Sequence, residues 1–243
     1  MKPPDGTLAA EQTGTPEPLL LSRRQRSHVL FVLSDAVPGS EQRFLHWYRG
    51  HFLQSVSVIG GVLSAQHYEQ HELDVTQGRF PRLPLRYLGV YDVYIDGAET
   101  AFPLIGEITR LHSLEFSAKA PATWLYYPVC EKVGRAPAVS PSMITLAFAN
   151  GIQGRESEFR EWYATRHVRH ALNIPVFVSG QCFERTLFQR PGSLEAGFST
   201  IAVYEQEGEP QAIVDSFATL PEETLDFPSL DLRRFAEWVY RPL

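Results

Sequence analysis

The chain has 243 residues, 44% of them apolar, 12% aromatic and 21% charged, an ordinary globular balance with material for one large core or two units of about 100 residues each. Its formal net charge of −6 argues against a nucleic-acid partner, because such binders gather Lys and Arg on one face. No run approaches the ~18 consecutive apolar residues of a membrane helix, and two cysteines, Cys130 and Cys182, are too few for a disulfide framework and read as reduced thiols of a cytoplasmic protein.

Residues 1–26 carry Pro3, Pro4, Gly6, Gly14, Pro16 and Pro18 without a charged-then-apolar leader pattern, and read as a flexible arm. A first module is expected over 27–135. It opens with a buried strand at 28–34 and turns at Pro38-Gly39-Ser40. Phe44, Trp47, Tyr48, His51, Phe52 and Ser55 then recur at helical spacing until Gly60-Gly61. Strands follow at 62–69 and, past Pro81 and Pro84, at 85–95. Gly97 opens a helix to Phe116, and a strand at 122–130 closes the unit. A linker at 136–142 holds Pro137 and Pro141. The second module, 143–243, repeats the order as strand 143–149, helix 156–172, strands 177–187 and 198–205, helix 209–219 and strand 235–241.

The two modules are copies. Phe44, Trp47 and Tyr48 recur as Phe159, Trp162 and Tyr163 at a shift of 115, Ser64 and Gln66 as Ser179 and Gln181 at the same shift, Val90-Tyr91 as Val203-Tyr204 at 113, and Trp124 and Pro128 as Trp238 and Pro242 at 114. Each copy reads β-α-β-β-α-β, the ferredoxin-like unit. A four-stranded antiparallel sheet with helices on one face leaves the other face apolar, and a tethered second copy covers it at high effective concentration. The expected fold class is therefore α+β: two ferredoxin-like modules packed sheet to sheet as an intramolecular pseudo-dimeric α+β barrel. Trp124, Tyr126, Trp238 and Tyr240 are the natural filling between them.

The segment Phe159-Arg160-Glu161-Trp162-Tyr163-Ala164-Thr165-Arg166-His167 resembles the "F-x-x-W-Y-x-x-x-H" first-helix signature of EthD-like proteins in the dimeric α+β barrel superfamily. Phe44-Leu45-His46-Trp47-Tyr48-Arg49-Gly50-His51 is similar, one residue shorter between Trp and His. The resemblance implies a barrel that handles small molecules. Its relatives include polyketide cyclases, cofactor-free oxygenases, isomerases and haem-using enzymes, so the fold does not choose the chemistry. Where relatives carry an acidic residue before the histidine, this chain has Arg166.

Histidine is the side chain suited to moving protons near neutral pH. His167 and His170 lie three apart on one helical face, with Tyr163 four residues before His167; His51 is the first copy's candidate. Arg166 offers a fixed charge for a carboxylate or phenolate. Asn150 ends the first strand of its copy, where Asp35 ends the other, and Trp162, Trp47 and Tyr204 complete the candidate binding set. No metal-ligand set and no Gly-rich phosphate loop are present in the sequence. The expected function is a cofactor-independent enzyme acting on a small aromatic or polyketide-like metabolite by histidine acid/base chemistry. The alternatives are a non-catalytic barrel that binds a hydrophobic ligand or assembles with partners, and a haem-binding barrel. Partners are a small hydrophobic or aromatic molecule, with no nucleic acid and no membrane; a homodimer of pseudo-dimers is the assembly such a chain permits.

Because residues 1–26 lie outside the repeat, a chain starting at Ser27 is expected to keep the melting temperature of the full chain. Scanning calorimetry of the two forms checks this, and a loss of several degrees would show that Leu19-Leu20-Leu21 docks on the barrel.

Overall fold

The computed structural model describes residues 27–50, 54, 56–75, 78, 82–83, 85–112, 121–137, 143–190, 197–218 and 227–243. His51, the arm 1–26, the expected helix end near Phe116 and most of the linker fall outside these residues. The first module contains β1 (His28–Ser34), α1 (Glu41–Arg49), β2 (Val62–Gln70), β3 (Tyr87–Val93), α2 (Ala98–His112) and β4 (Ala122–Pro128). After the short β5 (Val133–Gly134), the second contains β6 (Met143–Ala149), α3 (Glu156–Trp162), a π-helical turn (Tyr163–His167), α4 (Val168–Ala171), β7 (Phe177–Arg185), β8 (Thr200–Gln206), α5 (Pro210–Ala218) and β9 (Ala236–Pro242).

Eight antiparallel strands close on themselves in the order β4-β1-β3-β2-β9-β6-β8-β7, with β7 returning to β4. The order within each module is that of the ferredoxin-like sheet. The two sheets face each other across one shared lumen, as expected, and they also join edge to edge, at β2·β9 and at β4·β7. An exposed strand edge presents a row of unpaired N–H and C=O groups, and full closure removes it. The two seams obey the repeat. The His71 amide donates to the Val239 carbonyl (2.8 Å) as Thr186 donates to Leu125 (3.0 Å), and Leu243 donates to His67 as Val129 donates to Cys182, both at 3.0 Å. Beside them, Tyr127 donates to Glu184 (2.7 Å) where the other seam has Arg241 donating to the buried Glu69 (3.0 Å).

Strand alternation sends one set of side chains into the barrel and the other under the helices. The lumen is filled by Phe31, Trp124, Tyr126, Phe148, Phe183, Trp238 and Tyr240 in one cluster drawn from both modules. Phe148 is fully buried, with Trp238 at 4.5 Å, Phe198 at 5.2 Å and Trp124 at 5.8 Å between ring centroids. Outside the barrel, α1 and α2 cover the first sheet through Phe44, Tyr48, Leu104, Ile105 and Ile108. The helix beginning at Glu156 covers the second through Phe159, Trp162, Tyr163 and Val168.

Each module also laps a loop over the other. Leu73 and Val75, from the β2–β3 connection, join the helix-side cluster of the second module. Phe188, from the β7–β8 connection, packs on that of the first, while Gln189 brackets Leu125, accepting from its amide at 3.2 Å and donating to its carbonyl at 2.7 Å.

A lumen shared by both modules leaves neither able to unfold alone. Phe148→Ala is expected to cost about 3–5 kcal/mol while leaving a single transition in urea, followed by fluorescence and by far-UV circular dichroism. Two separated transitions, in wild type or variant, would contradict the shared core.

Candidate functional site

The helix–sheet interface of the second module starts from its floor. Glu237, Ala147, Ala202 and Cys182 form one row across β9, β6, β8 and β7, and Val239, Thr145, Tyr204 and Gly180 form the next. The two alanines in the middle of the first row leave room for an aromatic ring. Tyr163 takes that room and donates its hydroxyl to the Ala147 carbonyl at 3.2 Å. Gly180 serves Tyr204 in the second row, since a Cβ there would stand 2.7 Å from the Tyr204 ring and 3.1 Å from Val168.

The helix above supplies the histidine. Its second copy has one more residue between Trp and His than the first, and the structure houses it in the π turn Tyr163–His167. Such a turn takes up an additional residue inside an otherwise α-helical rod and is frequent at functional sites. The π turn points His167 inward. Its ring stacks on Tyr163 (4.7 Å between centroids, 13° between planes), contacts Trp162 at 4.9 Å and meets Tyr204 edge-on at 6.2 Å. His167 is 8% exposed, and its Nε2 has no hydrogen-bond partner among the described residues. Burial, with a smaller contribution from His170, pushes its pKa down to about 3, so the imidazole is neutral at physiological pH. The Tyr204 hydroxyl is also buried without a partner among the described residues, and burial lifts its pKa well above the ordinary range. Burial pushes the Glu237 carboxyl up to about 8.

A cavity of about 440 Å3 opens at the start of the same helix, lined by Asn150, Phe159, Arg160, Thr200, Arg233 and Arg234 among others, and of the ring-bearing helix residues Phe159 reaches it. Phe159 stacks on Tyr163 (5.2 Å), so a continuous row of rings, Phe159–Tyr163–His167, runs from the cavity wall to the buried imidazole.

The structure thus brings together His167, Tyr163, Trp162 and Tyr204 of the residues singled out from sequence. Trp162 is backed by Phe227, stacked at 4.2 Å. Asn150 reaches the cavity rim, but its amide is committed to the backbone: Nδ2 donates to the Gly197 carbonyl (3.0 Å) and Oδ1 accepts from the Ser199 amide (2.8 Å). Arg166 and His170 are exposed, on the outer side of the helix. Trp47 is half-buried in the first module, against Tyr48 and Phe44. Glu237 and the Arg233-Arg234 pair were not singled out. The signal for the latter is two adjacent cations just before the last strand.

The first module has a different polar interior at the equivalent place. His67 Nδ1 lies 2.9 Å from the Tyr48 carbonyl, His67 Nε2 lies 3.0 Å from the Tyr91 hydroxyl, and that hydroxyl lies 2.8 Å from His112 Nε2. The carbonyl only accepts, so His67 Nδ1 carries the proton and Nε2 is the acceptor. Tyr91 therefore donates to His67 and accepts from His112. Burial holds His67 down to about 3 and His112 well below its ordinary value. His67 occupies the place of Cys182, and Tyr91 that of Tyr204. A Cβ at Gly89 would stand 2.7 Å from the Tyr91 ring, so only glycine lets that ring lie against the sheet.

Among the described residues no three His, Cys, Asp or Glu side chains are grouped to hold a metal ion. A haem would need a neutral imidazole with a bare nitrogen, which His167 supplies, and a porphyrin-wide slot against that nitrogen. Among the described residues Trp162, Tyr163 and Tyr204 pack round the ring instead, so these residues as arranged do not fit a haem.

No family model matches this chain, and no curated protein matches it in sequence. Solved structures match it in fold. A "putative monooxygenase" from Fusobacterium nucleatum superposes with a TM-score of 0.58 at 8% identity, over 90% of this chain and 94% of that one. An anthrone oxidase-like protein gives 0.56 at 12% identity over 91% and 93%. A mutant chlorite dismutase from Candidatus Nitrospira defluvii, in complex with cyanide, gives 0.52 at 11% identity over 91% and 93%. The chain therefore has the two-module dimeric α+β barrel fold of these structures across nearly its whole length.

Three buried histidines, His67, His112 and His167, have a consequence for stability. For His67 and His167, folded pKa values near 3 against an ordinary value of 6.5 mean that the unfolded chain binds protons first. Stability is then unaffected above pH 6.5 and falls as pH drops toward 3, by up to about 1.4 kcal/mol per pH unit for each histidine. Urea unfolding at pH 7.5, 6, 5 and 4 should show this fall, and the double variant His67→Gln, His167→Gln should make it shallower, with His112 still contributing. Equal slopes in the two proteins would mean that other groups govern the acid limb.

Proposed function

We propose that the cleft between the second module's first helix and its sheet takes a small aromatic or polyketide-like molecule, and that His167 moves a proton to or from it without a cofactor. The reading rests on one observation, the buried, neutral imidazole whose Nε2 no described protein group uses. A buried polar atom left without a partner costs about 1–3 kcal/mol, and a ligand that bonds to it recovers that loss. Neutral imidazole is also the form that accepts a proton.

The molecule's ring system lies in the cavity against Phe159, and its reacting edge passes along the row of rings to His167. Arg233 and Arg234 on the cavity wall suit a carboxylate or phenolate at the outer end. Trp162, Tyr163 and Tyr204 fix the plane of the imidazole. The EthD-like motif of this helix supports the same placement. Cyclisation, isomerisation, lysis and cofactor-free oxygenation of a phenolic carbanion all begin with the proton transfer that His167 supplies. The fold neighbours carry names of several chemistries, so the choice of substrate class rests on the cleft. The protein is read as cytoplasmic, and no described helix is long and apolar enough to cross a membrane.

The test uses a panel of anthrones, hydroquinones and phenols, with binding read by tryptophan fluorescence and conversion by mass spectrometry and oxygen uptake. At least one compound should bind and be converted, and His167→Ala should lower kcat by about 10²–10⁴-fold, the usual contribution of an acid–base group. An unchanged kcat in the variant would contradict the assignment. Binding without conversion in both proteins would favour the non-catalytic barrel.

A further inference from the structure

The two cysteines stand apart from this chemistry and meet at a seam between the modules. Beyond Pro128, β4 leaves β7 through a pair of bonds: the Val129 amide donates to the Cys182 carbonyl at 3.0 Å, and Gln181 Nε2 donates to the Cys130 carbonyl at 2.8 Å. These bonds bring the Cys130 side chain over the strand, where the Cys182 amide donates to Cys130 Sγ at 3.3 Å. The Cys182 thiol is hydrogen-bonded to the same sulfur, and the charge of Arg169 acts on it. Cys130 is partly exposed, whereas Cys182 is fully buried under the helix, beside Tyr163 and Tyr204. One sulfur is thus open to a small oxidant and receives an N–H and an S–H, the contacts that stabilise a thiolate. The other is shielded and already in contact with it.

We propose that Cys130 and Cys182 are a hydroperoxide-sensitive pair, in which Cys130 is oxidised and Cys182 closes a disulfide across the seam between the two modules. The Cys130 thiolate attacks the peroxide oxygen, the O–O bond breaks, and the alcohol or water leaves with a proton. Cys130 is then a sulfenic acid. The Cys182 sulfur attacks the sulfenic sulfur, the S–O bond breaks, and water leaves with the Cys182 proton. Two thiols and one hydroperoxide give one disulfide, one alcohol (or water) and one water; the thiols lose two electrons and the O–O bond gains them. The hydrogen bond from Cys182 lowers the Cys130 pKa to about 6, which leaves it largely thiolate at neutral pH and so reactive. Burial raises Cys182 well above the ordinary value, which suits the second partner. This inference does not depend on the proposed acid–base function. Closing the bond ties β4 to β7 covalently and draws the Cys182 sulfur toward Cys130 and off the floor beneath Tyr163.

The experiment takes the full chain, reduced and freed of reductant, and adds one equivalent of hydrogen peroxide. Intact mass and a thiol count in denaturant are then read, with dimedone as the trap. The wild type should lose both thiols and about 2 Da, two hydrogens, as a monomer. Cys182→Ser should stop at a dimedone adduct on Cys130, and Cys130→Ser should keep its remaining thiol at the same dose. Wild type that keeps both thiols, or forms only disulfide-linked dimers, overturns the proposal. So does Cys130→Ser that loses its thiol as fast as wild type. A measurement on wild type alone guards against a variant that fails to fold. Iodoacetamide should label Cys130 with a pH midpoint near 6 while Cys182 stays protected; a midpoint near the ordinary thiol value of about 8.5 overturns the activated thiolate.

Discussion

The rest of the structure depends on the pairing of sheet edges. A four-stranded ferredoxin-like sheet has two open edges and one uncovered apolar face, and neither can be left in water at low cost. In this chain β9 pairs with the last three residues of β2 and β4 with the last three of β7, so closure engages both edges of both copies at once. The same closure turns the two apolar faces inward, where Phe31, Phe148, Trp124 and Trp238 pack as one lumen. Because the partner is tethered, association is intramolecular, and the barrel does not depend on protein concentration.

Closure also decides the chemistry of the helix side. The loop that crosses each seam delivers apolar residues to the opposite module: Leu73 and Val75 over the second sheet, Phe188 over the first. With those lids in place, polar groups under the helices lose water. The result is a set of groups held in neutral form by burial, His67, His112, His167 and Glu237. The two copies use that dry space differently. In the first, one chain of hydrogen bonds runs from the Tyr48 carbonyl through His67 and the Tyr91 hydroxyl to His112 Nε2. In the second, Ala147 and Cys182 stand where the first has Val32 and His67, and the His167 nitrogen is left unused. Duplication kept the fold-bearing Phe, Trp and Tyr of the helix in both copies, while the polar positions around them diverged.

Much of this was legible in the sequence, for identifiable reasons. The strands at 28–34 and 143–149 were readable to the residue because both their faces are buried and their apolar runs are unbroken. The repeat gave the β-α-β-β-α-β order, and the Phe-x-x-Trp-Tyr spacing gave the buried helical face. The edge-to-edge joining was not readable, because main-chain pairing leaves little mark on side-chain pattern at an edge strand. The π turn had only one trace, the additional residue between Trp162 and His167. Helical spacing placed His167 and His170 on one face, but the first is buried against Tyr163 and Trp162 while the second is exposed. Asn150 was visible as a polar strand end; that its amide is tied to Gly197 and Ser199 depends on a loop nearly 50 residues away. The Cys130–Cys182 contact was invisible for the same reason, since it forms only when β4 meets β7.

The central claim is that seam pairing makes two copies one cooperative unit, and native-state amide hydrogen exchange addresses it residue by residue. The amides of His71, Val129, Thr186 and Leu243 cross the seams. If the barrel opens only as a whole, these amides exchange with the same free energy as amides in the middle of β1 and β6, and that value equals the global unfolding free energy. Seam amides that exchange several kcal/mol more easily than the strand centres, with each module's interior still protected, would show two domains resting against each other and would contradict the account.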